Sequence, residues 1–149
     1  MSNAAMAEEL MKVNADSLGA VGRAKFDELT GKIYPDACKK QYRAAKEAYD
    51  SGEYDTVISS LETVMQMDES YNDGAAMLLL AQGYEKKGDQ DKANTTYQKI
   101  IETWPDTDVA TQAQQALDAQ SGNTDNSDSK KSDDTKKNSD NDDNGDNNN

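Results

Sequence analysis

Two stretches of this chain, each a pair of helix-length segments hinged at a glycine, follow one another with Gly52 and Gly88 36 residues apart. Superposing those glycines sets Ala45 on Ala81, Val57 on Ala93, Leu61 on Tyr97 and Val64 on Ile100. Apolar residues at Val57, Ile58, Leu61, Val64 and Met65 recur at the spacing of one helix face, as do Ala93, Tyr97, Ile100 and Ile101. A helical hairpin with one apolar face cannot bury it alone, but a second hairpin stacked upon it can. The expected fold is therefore all-α, with helices bending back at Gly52 and Gly88.

Flanking segments complete the stack. Tyr34-Pro35-Asp36 reads as a helix start, because proline is tolerated in a first turn. Thr107 or Asp106 is expected to cap a last helix built on Val109, Ala110, Ala113, Ala116 and Leu117. Upstream, Leu10, Val13, Leu18, Val21, Phe26 and Leu29 mark one or two looser helices, interrupted by Gly19 and Gly22. Met1-Ser2-Asn3-Ala4 looks like the remnant of an expression vector. From Ser121 to Asn149 no side chain is apolar, so this acidic Asn/Asp/Ser/Lys tail is expected to be disordered. The expected division is thus residues 1–4, an N-terminal helical segment over 5–33, a repeat domain over 34–120 and a tail over 121–149.

Composition narrows function. With 16 basic and 29 acidic residues the net charge is −13, which disfavours nucleic acid as a partner. The longest apolar run, Ala75 to Ala81, is far short of a membrane span. No histidine is present, so the commonest general base is missing, and the lone Cys38 has no activating partner and reads as a small buried residue. Without a phosphate loop or metal-ligand spacing, no catalytic residue, cofactor, metal or small-molecule substrate is expected. Asp140-Asn141-Asp142-Asp143-Asn144-Gly145-Asp146 resembles the opening of a calcium loop, but the chain ends before the required glutamate, and a solvated spacer is the expected reading.

Met77, Leu80, Ala81, Tyr84, Gly88, Ala93, Tyr97, Ile100 and Pro105 fall at the signature spacings of the tetratricopeptide repeat (TPR), and the chain resembles that family over roughly 38–120. The resemblance implies a short right-handed superhelix of two repeats, about 38–71 and 74–107, with a capping helix over about 107–120. The first repeat departs from the pattern at Gln41, Ala48 and Glu69. The run Ile100 to Thr107, followed by Ala110, Ala113 and Leu117, is similar to repeats of bacterial cell-envelope and periplasmic TPR proteins. That likeness implies an extracytoplasmic location and a membrane anchor outside this chain; the alternative is cytoplasmic.

In this family the first helix of each repeat lines a concave groove. By position, the resemblance puts Lys39, Tyr42, Lys46 and Tyr49 in the groove from the first repeat, Leu78, Gln82, Glu85 and Lys86 from the second, and Gln114 and Asp118 from the capping helix. It implies a non-catalytic adaptor or scaffold that binds a peptide or partner protein, with Tyr42, Tyr49 and Leu78 as anchors. The family's chaperone-type clamp for a C-terminal carboxylate is not expected, since Tyr42 and Lys46 stand where lysine and asparagine are usual. The alternative function is self-assembly, with Leu10, Val13, Leu18 and Val21 pairing two copies of a membrane-anchored protein as a homodimer.

Overall fold

A computed structural model describes residues 2–122. Among them run six α-helices: α1 (Asn3–Met11), α2 (Ala20–Ser51), α3 (Tyr54–Met67), α4 (Ala75–Lys87), α5 (Gln90–Thr103) and α6 (Asp108–Gly122). Consecutive helices pack on one another from α1 through α6, so the molecule is a short all-α stack of hairpins, as the repeat pattern requires. The expected tail and the calcium-loop likeness lie outside the described residues, apart from Ser121 and Gly122, which end α6.

Both hinge glycines close their helices in the same way. Gly52 (φ 76°) and Gly88 (φ 92°) adopt the left-handed conformation that ends a helix. Beyond them, the N–H groups of Glu53 and Asp89 donate back to the carbonyls of Ala48 and Tyr84, at 2.8 and 2.9 Å. This is the Schellman bond pattern, which uses carbonyls the helix cannot pair internally. Asp89 then caps α5 by accepting from the Lys92 N–H. Of the two candidates for the start of α6, Thr107 takes the role: its hydroxyl accepts from the Ala110 N–H at 3.3 Å.

The core follows from the small and apolar positions of the repeats. Val57, Leu61, Val64, Ala81, Ala93, Tyr97 and Ile100 are fully buried or nearly so, each large side chain contributing roughly 1.5–3 kcal/mol. Two tyrosines place their hydroxyls on carboxylates at the edge of this core. Tyr84 donates to Glu62 of α3, and Tyr97 donates to Glu85 of α4, both at 2.6 Å. Burial foremost, and the neighbouring carboxylate next, push both phenols well above their usual pKa.

Two expectations are corrected. No helix starts at Tyr34-Pro35-Asp36: α2 runs unbroken for 32 residues, about 48 Å, with Pro35 inside it. Packing explains this, because Ile33, Ala37 and Cys38 on either side of the proline are buried against Ala7 of α1 and the main core. The expected division between residues 33 and 34 therefore falls within one helix. Between the two repeats, Tyr71–Gly74 form a tight turn in which Asn72, Asp73 and Gly74 are all left-handed. At the N-terminus, Ser2 accepts from the Ala5 N–H and Asn3 donates to Asp36 of α2, so the presumed vector residues take part in the structure.

Candidate functional site

The outer face of α2 carries Lys39, Tyr42, Arg43 and Lys46 at helical spacing, around a shallow concavity of about 380 Å³ that Glu47 and Asp50 close. Tyr42 is half-buried and meets the Tyr71 ring edge-on, with centroids 5.6 Å apart. Lys46 lies over the Tyr42 ring itself, its Nζ 5.9 Å from the ring centre. One turn further, Tyr49 meets Tyr54 edge-on at 5.7 Å. The two expected tyrosine anchors are thus held by aromatic contacts with the elements that follow α2. Each ring keeps an exposed portion.

A second, larger cleft of about 880 Å³ opens between α4, α5 and α6. Glu85, Gln114 and Asp118 line it, together with Gln90, Asn94 and Gln98, which form one stripe of α5. Gln114 donates to Asp118 at 2.8 Å, and Glu85 accepts from Tyr97 as described. Two polar atoms in its walls have no hydrogen-bond partner among the described residues, the Asn94 Oδ1 acceptor and the Gln120 Nε2 donor. Buried groups of this kind cost about 1–3 kcal/mol each when unpaired.

Six of the ten expected groove residues line these concavities, Lys39, Tyr42 and Lys46 the first and Glu85, Gln114 and Asp118 the second, whereas Tyr49, Leu78, Gln82 and Lys86 line neither. Leu78 belongs to neither: it is 7% exposed and lies in the main core. Helix α4 is surrounded by α2, α3, α5 and α6, which leaves little of its apolar surface for a partner. Leu78 is therefore a core residue and no groove anchor. Gln82 is half-buried and Lys86 exposed on the same helix. Arg43, Asn94 and Gln98 were not anticipated, although Arg43 follows Lys39 by one turn and Gln90, Asn94 and Gln98 repeat every fourth residue. Cys38 is fully buried, as expected, and burial first, with the Asp68 charge second, pushes its thiol up to about 11. A thiol so protonated is a poor nucleophile.

The arrangement defines a class of protein, the all-α helical-repeat modules. Residues 75–107, which span α4 and α5, match the family model described as a tetratricopeptide repeat. No curated protein and no solved structure matches the chain. No helix among the described residues is long and apolar enough to cross a membrane.

Proposed function

We propose that this protein is a protein-interaction module that binds a peptide or partner segment along the faces of α2, α4 and α6. A tetratricopeptide repeat at 75–107 supports an interaction role in general. The observation that carries the reading to these faces is the cleft between α4, α5 and α6. It is walled by carboxamides and carboxylates from three helices and holds one acceptor and one donor without a partner among the described residues, Asn94 Oδ1 and Gln120 Nε2. A peptide main chain offers the complementary pair, an N–H and a C=O, once the amides turn toward it. Tyr42 and Tyr49 add aromatic contact area at low entropic cost. Lys39, Lys46, Gln82, Glu85, Lys86, Gln114 and Asp118 supply the polar contacts. The likeness of Ile100 to Thr107 to envelope repeats supports an adaptor or scaffold in a bacterial envelope, on a protein anchored outside this chain.

The test is selection of a displayed random peptide library on the full chain, followed by affinity measurement on two variants. Tyr42→Ala/Tyr49→Ala and Gln114→Ala/Asp118→Ala are each expected to weaken the selected peptides about tenfold while remaining helical. Peptides that bind both variants like the parent, or a library that yields no binder, would remove the proposal.

A second reading, self-assembly, has one observation in its favour. Val13 and Val21 are exposed by 40% and 86%, the large hydrophobic side chains that the described fold leaves uncovered. Of their expected companions, Leu10 packs on the Ala7–Ile33–Ala37 cluster and is already spent within the chain.

A further inference from the structure

The described chain is rich in carboxylates, so each cation has acids within easy reach, and most lysines and arginines do sit in ion pairs. Among the described residues, Lys39, Lys40, Arg43, Lys46 and Lys86 hold no carboxylate, and four of these five lie within about two turns of α2. Lys39, Arg43 and Lys46 surround the Tyr42 ring in a single concavity. Glu47 and Asp50 stand at its end, four residues beyond Arg43 and Lys46 respectively and so in reach of one cation each, yet among the described residues neither pairs with it. Cations left free in an acid-rich molecule, on a face that also presents a half-buried aromatic ring, form a complementary surface for carboxylates.

We infer that the α2 face docks an acidic peptide segment, with Lys39, Arg43 and Lys46 contacting its side-chain carboxylates and Tyr42 packing on its backbone or an apolar neighbour. This rests on the groove reading above and assigns the charge of the partner there. The net negative charge of the whole molecule does not oppose it at contact, because the Debye length is about 8 Å at physiological salt and distant acids are screened. Arg43 brings a planar fork that matches a carboxylate, whereas the lysines act as point charges.

The test uses one host dodecapeptide, capped at both ends, carrying three Glu, three Gln or three Lys at the same positions. A fourth peptide has the Gln sequence with a free C-terminal carboxylate. Titrated against the full chain, the Glu peptide is expected to bind about tenfold tighter than the Gln peptide, the sum of three exposed charge contacts. That advantage should vanish in Lys39→Gln/Arg43→Gln/Lys46→Gln and shrink with added salt. If the uncapped Gln peptide gains as much as the Glu peptide, the surface reads a chain terminus, and the side-chain proposal falls. An advantage that survives the triple substitution overturns it, as does equal binding of Glu and Gln peptides or binding of none. Equal binding that Tyr42→Ala weakens would leave the groove reading standing while ending the acidic preference.

Discussion

Gly74 sits at the junction of the two repeats with φ +87°, and a Cβ there would come within 2.9 Å of Trp104 Cε3 and 3.1 Å of Cδ2. The indole thus covers the turn that starts α4, and glycine leaves the room it needs. Gly74→Ala combines a left-handed backbone, costing about 1–2 kcal/mol, with a ring contact that cannot be relieved by a flexible tip, costing about 1–3 kcal/mol. The expected result is a melting temperature lower by roughly 10 °C or more; a melt unchanged by this substitution would show that the turn and indole are not tightly packed. Neighbouring Asn72 and Asp73 reach the same backbone region with side chains that tolerate it better than most. None of this strain was legible in the sequence, because Gly74 and Trp104 lie thirty residues apart along the chain.

At the scale of elements, α2 is the departure from a plain repeat. It is more than twice as long as α3, and Pro35 lies in its interior, where the missing N–H leaves the Gly31 carbonyl without its helical donor. Glycine and proline four residues apart make this the intrinsically weakest stretch of the helix. It stays helical because Ile33, Ala37 and Cys38 are buried around it. Pro35→Ala restores the hydrogen bond and is expected to raise the melting temperature by several degrees, out of a propensity difference of about 3 kcal/mol; an unchanged or lower value would mean that the helix is already relaxed around the proline. The hairpins α2–α3 and α4–α5 were legible in advance, since the apolar spacing and the hinge glycines are local signals. The continuity of α2 was not, because tertiary burial overrides the local start signal at Tyr34-Pro35-Asp36.

For the whole molecule, the division of surfaces decides what it can bind. The two concavities lie on α2 and between α4, α5 and α6, whereas the uncovered Val13 and Val21 lie at the other end, around the start of α2. A binding module of this shape is expected to be a monomer whose mass in light scattering does not change on Val13→Lys/Val21→Lys. A dimer that this double substitution dissociates would carry self-assembly in place of the groove. Truncation at residue 33 would cut α2 in half, so substitution is the cleaner test.

The amino-acid sequence alone determined that the chain is helical, where each hairpin bends and which small residues let the helices approach, because periodicity and capping act over a few residues. It also indicated Lys39, Tyr42, Lys46, Glu85, Gln114 and Asp118 as surface groups through their place in the repeat. Only the tertiary structure decided that Leu78 is buried in the core, that six of the expected groove residues part into two concavities, and that Lys39, Arg43 and Lys46 of α2 pair with no carboxylate among the described residues. Those properties depend on distances between residues far apart along the chain, which no local pattern records.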